Sequence, residues 1–166
     1  SDSEIRTWIE QLPSVVAQST LQTAQPTKRH ENIFDKYDNA RRPRIINGES
    51  SPPNRYPYAV SLQYTDQHYC GASLVAPDMI LTAAHCGGIP ASVVVGRYNL
   101  AQYDDDYQTF YAREKFRHPE FDEQTVNNDF LLIALDGISD FPYIALNSDE
   151  NVPLDKEELK VMGWGD

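Results

Sequence analysis

Six short runs dominate the chain after residue 45: YAVSLQY, HYCGASLV, DMILTAA, SVVVGRY, TFYAREKF and NDFLLIAL. They are rich in β-branched and aromatic residues, which suit a pleated, half-buried surface. Pro, Gly, Asn and Asp fill the gaps, as in SSPPNRYP, CGGIP and NSDENVP. Regularly spaced short strands with turn chemistry between them predict an antiparallel barrel or a sandwich. DKEELK near the end has helical composition but is too short to stand as a helix, and it runs into VMGWG. No internal repeat or long low-complexity tract breaks the pattern.

Residues 1–44 have a different texture. SVVAQSTLQTAQPTKRH is polar, low in aromatics and weakly patterned. SEIRTWIEQL predicts a short helix, with Ser3 as its cap and Ile5, Trp8, Ile9 and Leu12 on one face. A basic cluster, ARRPR, closes the segment. Charge changes across the same boundary. Residues 1–44 carry seven Lys/Arg against six Asp/Glu, and residues 45–166 carry seven against nineteen, which together make the net charge of −11. An acidic body of this kind excludes nucleic acid as the expected partner, because phosphates need a basic footprint. A membrane span is not expected either, since no stretch approaches the roughly 20 apolar residues it requires. The chain opens on Ser1 with no apolar signal segment, which reads as a leader already removed or as a fragment.

The two cysteines, Cys70 and Cys86, lie sixteen positions apart, too few for a disulfide scaffold and without CxxC redox or zinc spacing. On spacing alone they are either a bridge or two buried thiols. Of the four histidines, His30 lies in the polar leader, and His68 and His118 sit among charged or turn residues beside strands, where a structural role is expected. His85 differs. It follows a buried-looking strand and the small Ala83 and Ala84, and it precedes Gly87-Gly88, where the chain leaves a sheet. A general base needs a fixed ring with room for substrate, and small neighbours supply the room. On these residues alone His85 reads equally as structural or catalytic. Asp129 opens the nearly continuous apolar run of NNDFLLIAL. It is either a turn residue or a buried carboxylate placed for a partner, because burying it unpaired is costly.

RIINGE at 44–49, LTAAHC at 81–86 and NNDFLLIAL at 127–135 occur in one order, with PYAVSLQ, CGASL, RHPEF and GWG as landmarks at 57–63, 70–74, 117–121 and 163–165. Together they closely resemble the trypsin- and chymotrypsin-like serine endopeptidases, over residues 44–165. The resemblance implies an all-β fold: an antiparallel six-stranded β-barrel of the chymotrypsin-like type, first of two. It implies that His85 is the general base and Asp129 the residue that orients it. It implies a Cys70–Cys86 disulfide pinning the histidine turn, hence an oxidising, secretory compartment. It also implies a leader over 1–44, cut between Arg44 and Ile45 to activate a zymogen, with the peptidase domain over 45–166.

Two departures stand out. Where some members of the family carry a calcium loop with carboxylates at both ends, GRYNLAQYDDDYQ has Arg97 and Tyr107. A cation there would repel calcium, so Asp104–Asp106 is expected to be a solvated acidic loop and no metal is expected. More important, the family's nucleophile is a serine in a Gly-Asp-Ser-Gly-Gly turn, and no serine here is flanked that way. Ser73 falls in an expected strand, Ser50 and Ser51 in a loop, and Ser139 and Ser148 in turns. The chain is therefore expected to hold a leader, one barrel and the start of another strand, with the base and its orienter but no nucleophile, oxyanion hole or specificity pocket. The expected activity is that of a secreted serine endopeptidase hydrolysing polypeptide substrates through an acyl-enzyme, without a cofactor. An activating protease and protein inhibitors are the implied partners, and residues 1–166 alone are expected to be inactive. The alternatives are a catalytically dead, protease-like binding protein and a single-barrel interaction module.

Overall fold

A computed structural model describes residues 48–89, 91–102, 106–149 and 151–164. The chain divides into two units, Ser1–Arg42 and Pro43–Asp166, and every described residue belongs to the second. The expected leader helix, His30, the Arg44–Ile45 bond and Asp104 lie outside the described residues.

Each of the six β-rich runs houses one strand: β1 (Ala59–Tyr64), β2 (Gln67–Ala76), β3 (Met79–Thr82), β4 (Ser92–Val95), β5 (Gln108–Arg117) and β6 (Leu131–Leu135). All neighbouring strands pair antiparallel, in the closed order β1-β2-β3-β6-β5-β4. Closure decides the choice between barrel and sandwich that the runs left open. It comes from β4, which returns to β1 and pairs Val95 with Val60 and Val93 with Leu62. Closing the sheet removes the unpaired edges that an open sheet would expose. The architecture is the expected all-β, six-stranded chymotrypsin-like barrel.

The interior follows the two-residue period of a strand. Val60 and Leu62 of β1, Val93 and Val95 of β4, and Leu131, Ile133 and Leu135 of β6 meet Leu74, Ile80 and Phe110 in one core. Burying each such side chain contributes about 1.5–3 kcal/mol. β6 is buried at all five positions, including Leu132 and Ala134 on its other face. That is why the sequence there reads as a continuous apolar run rather than an alternation.

Turns set the register. Thr65 and Asp66 join β1 to β2 with φ of 47° and 62°, the two positive angles that match a tight hairpin to the twist of its strands. Gly96 ends β4 at φ 83°, and a Cβ there would lie 2.0 Å from the Phe141 ring. Only glycine fits, and its absence of a side chain lets Phe141 pack against the barrel after β6. Beyond β6, the described residues of 136–164 form no strand or helix. DKEELK contributes a turn, in which the Glu157 N–H donates to the Leu154 carbonyl and Leu154 N–H to the Glu157 carboxylate. Leu154, Leu159 and Val161 are exposed around it. A helix this short needs a packed apolar face to persist, and the described residues provide none.

Candidate functional site

β3 is apolar until Thr82, whose hydroxyl donates to the Gly71 carbonyl of β2 at 2.8 Å. The chain then leaves the sheet in a 3-10 turn, Ala84–Gly88, that carries His85. Four restraints hold this turn. Cys86 is disulfide-bonded to Cys70 of β2, with the Cα atoms 6.3 Å apart. The Tyr69 hydroxyl donates to the Cys86 carbonyl at 3.1 Å. Gly87 lies so close to β6 that a Cβ would stand 2.6 Å from Leu131 Cδ2. Lys115 of β5 donates its ammonium to the carbonyls of Gly87 and Ile89, at 2.8 and 3.1 Å. A cation over the last carbonyls of a helical turn also opposes their partial negative charge.

Asp129 arrives from the other side, on the connection from β5 to β6. Asn128 adopts φ 56°, a left-handed conformation that Asn tolerates better than most residues. Its side-chain amide donates to the Glu120 carbonyl at 3.1 Å, and its own carbonyl accepts from Phe130 N–H at 2.8 Å. The chain is thus reversed just before β6, and the carboxylate meets the histidine turn. Oδ1 accepts the His85 backbone N–H at 2.9 Å, and Oδ2 lies 2.6 Å from His85 Nδ1.

The electrostatics of this pair are unequal. Burial pushes the Asp129 carboxyl upward, but the hydrogen bond from the His85 ring, that from its backbone, its charge, and a further backbone bond from Ala84 together hold it below 3.8. Asp129 is therefore an anion at neutral pH and can only accept. Nδ1 must carry the proton, and the Nε2 lone pair is the one available for proton transfer. The imidazole is 61% exposed while the carboxylate is only 19% exposed. No described residue hydrogen-bonds Nε2. The pair can therefore receive a proton from a group approaching through solvent, and the charge that develops on the ring is met by a fixed anion.

The other sequence candidates lie elsewhere. His68 shares a 2.8 Å hydrogen bond with the Ser61 hydroxyl, but Ser61 is fully buried and out of a substrate's reach. His118 is buried, and its Nδ1 accepts the Glu120 N–H at 3.2 Å. Ser73 is a β2 residue, and Ser139 donates its hydroxyl to Gln108 at 3.1 Å. Among the described residues, no serine hydroxyl hydrogen-bonds His85. Arg97 is buried, donates to the carbonyls of Leu100 and Gln102 at 3.0 and 3.2 Å, and lies over the Tyr107 ring at 5.1 Å. Lys115, Tyr69 and Asn128 support the site without having stood out in the sequence. Thr82 carried a signal, being a lone hydroxyl in an apolar run. Lys115 carried none, since a lysine on a half-exposed strand is ordinary.

A family model described as Trypsin matches residues 45–166. Cathepsin G of Homo sapiens is 38% identical over 94 residues, covering 55% of this chain and 37% of that protein. Trypsin Blo t 3 of Blomia tropicalis is 35% identical over 127 residues, covering 73% and 47%. Trypsin I-P1 of Gallus gallus is 36% identical over 129 residues, covering 74% and 50%. The chain spans half the length, or less, of these curated relatives.

Proposed function

Because the chain belongs to the trypsin family of serine proteases, we propose that it supplies the base-bearing half of a serine endopeptidase active site. The observation that carries this reading is the His85–Asp129 pair: two hydrogen bonds, of 2.6 and 2.9 Å, to an anionic carboxylate, with the imidazole open to solvent. In the proposed reaction His85 Nε2 takes the proton of an attacking serine hydroxyl and then returns it to the leaving amine. Asp129 fixes the tautomer and stabilises the imidazolium between those steps. The nucleophile and the donors that meet the oxyanion would belong to a further segment of the polypeptide.

The same reading covers the finer expectations. Cleavage between Arg44 and Ile45 would convert a zymogen to the mature form, and residues 1–166 alone would be inactive. The Cys70–Cys86 bridge supports an oxidising, secretory compartment. Polypeptides would be the substrates, with an activating protease and protein inhibitors as partners.

One set of measurements tests the proposal. Purified 1–166 and the full-length parent are each given mixed peptide esters and amides, before and after trypsin treatment and trypsin removal. Turnover and labelling by a serine-reactive phosphonate are expected in the treated parent only, with a new N-terminus reading IING. Phosphonate-sensitive turnover by 1–166 would mean that one of its own serines is the nucleophile. A treated parent with neither turnover nor labelling would favour the protease-like binding protein.

A further inference from the structure

Among the described residues, Cys70, His85 and Cys86 bring two sulfurs and an imidazole nitrogen within 4.8 Å of one another. These are the donor types that hold zinc. The two sulfurs are joined as a disulfide and so present no thiolate. We propose that reducing the Cys70–Cys86 bond turns this corner into a Cys2His site for a zinc-class divalent cation, with both thiolates and His85 Nε2 as ligands.

Three of the four restraints on the histidine turn remain when the sulfur–sulfur bond is broken: the Tyr69 bond, the close approach of Gly87 to Leu131 and the Lys115 clamp. Cys70 lies in the β1–β2 pairing, opposite Leu62. Cys86 is tied by its N–H to the Ala83 carbonyl at 3.1 Å and by its carbonyl to the Tyr69 hydroxyl at 3.1 Å. Reduction therefore leaves two thiols facing each other on Cα atoms 6.3 Å apart. Two thiolates, each about 2.3 Å from a tetrahedral zinc, stand roughly 3.8 Å apart. Side-chain rotation alone spans that separation on this backbone. The third ligand already has its support. Metal-bound imidazoles characteristically donate their second N–H to a carboxylate, and His85 Nδ1 lies 2.6 Å from Asp129 Oδ2. That leaves Nε2 for the metal. Because the His85 ring is 61% exposed, the cation can enter from solvent and keep water in the fourth position.

The chemistry balances with a phosphine as reductant. Phosphorus takes the oxygen of one water and becomes phosphine oxide, the sulfur–sulfur bond accepts the two electrons and breaks, and each sulfur takes one of the water's protons. Metal binding then releases both thiol protons. A metal on Nε2 occupies the lone pair that a general base uses. Under the proposed function, reduction in the presence of zinc would thus silence the enzyme. That consequence rests on the endopeptidase reading, whereas the metal site does not.

The test uses cobalt(II), added anaerobically to the 166-residue chain after phosphine reduction, with circular dichroism recorded in parallel. One equivalent should give a thiolate-to-cobalt charge-transfer band and intense visible bands of a tetrahedral site, displaced by one equivalent of zinc. The oxidised chain should give neither. His85→Ala should weaken binding at least about tenfold, and Asp129→Asn by about 10- to 100-fold, as loss of a ligand's hydrogen-bonded support does elsewhere. The absence of these bands in the reduced chain would overturn the proposal. So would undiminished affinity in His85→Ala, or binding that survives loss of the barrel's circular dichroism signal, since either means chelation by the thiols alone. No outcome depends on turnover, so failure here would leave the endopeptidase reading untouched, and failure of that reading would leave this site standing.

Discussion

His85 and His118 meet consecutive residues of one short segment and do opposite things with their rings. Asp129 accepts from the backbone and ring of His85, while the Phe130 carbonyl accepts the backbone N–H of His118 at 3.0 Å. The His118 ring is buried and accepts from the backbone N–H of Glu120, closing the turn that leads toward Asp122. The His85 ring stands in solvent with one nitrogen bound to a carboxylate and the other without a partner among the described residues. An imidazole that completes a backbone hydrogen bond serves folding. One whose only side-chain partner is an anion, and whose other face is open, is poised for proton transfer. The difference lies in what each ring touches, because both histidines leave the ends of strands of the same barrel.

The largest effect expected on this contrast is catalytic. Under the proposed function, Asp129→Asn in a longer, activated form of the protein should lower kcat by about 10⁴-fold, the magnitude known for the aspartate of this family's own triad. The thermal midpoint should shift far less. A fall of less than tenfold would show that the carboxylate is not required for His85 to act.

Next comes the residue beneath the site. Leu131 is fully buried and lies against Gly87. Leu131→Ala should cost about 2–5 kcal/mol by lost transfer energy and the cavity left behind, read as a lower urea midpoint. An unchanged midpoint would mean that β6 does not anchor the histidine turn.

The two histidines themselves should then separate. His118→Ala removes a buried ring together with the acceptor of the Glu120 N–H and should cost about 1–3 kcal/mol. His85→Ala should stay within roughly 1 kcal/mol, since its ring is exposed. Equal costs for the two would erase the distinction. Lys115→Met, which keeps the aliphatic stem but loses both bonds to the turn, should cost about 1 kcal/mol and broaden the His85 ring signals in NMR spectra.

The last effect is smallest and turns on sign. A carboxylate depressed in the folded state contributes stability that is present above its unfolded value, and this is lost as pH falls through its folded value. The Asp129 carboxyl carbon should therefore titrate with a midpoint below 3.8. Asp129→Asn should flatten the corresponding acid limb of the stability profile. A midpoint above 3.8 would mean that burial outweighs the His85 and Ala84 hydrogen bonds.

Much of the barrel and of its candidate site is legible in the residues themselves. The β-rich runs locate all six strands to within a few residues, because an antiparallel barrel imposes a two-residue period, and β6 stands out because burial on both faces leaves no polar positions. LTAAHC and NNDFLLIAL bring forward His85 and Asp129, although 44 positions separate them. DKEELK has helical composition but, as its shortness predicts, forms a turn, with its neighbouring apolar side chains exposed among the described residues.

What the chain's order of residues determined alone was local: strand positions, the small residues flanking His85, and glycine at 96, where φ is positive. Barrel closure, the tautomer of His85 and the clamp from Lys115 were decided by tertiary structure. Each depends on atoms far apart in the chain: β4 returning to β1, Asp129 accepting two hydrogen bonds, and an ammonium from β5 reaching the carbonyls of the histidine turn. A residue's type sets which hydrogen bonds it can make. Only the fold brings the partner within about 3 Å.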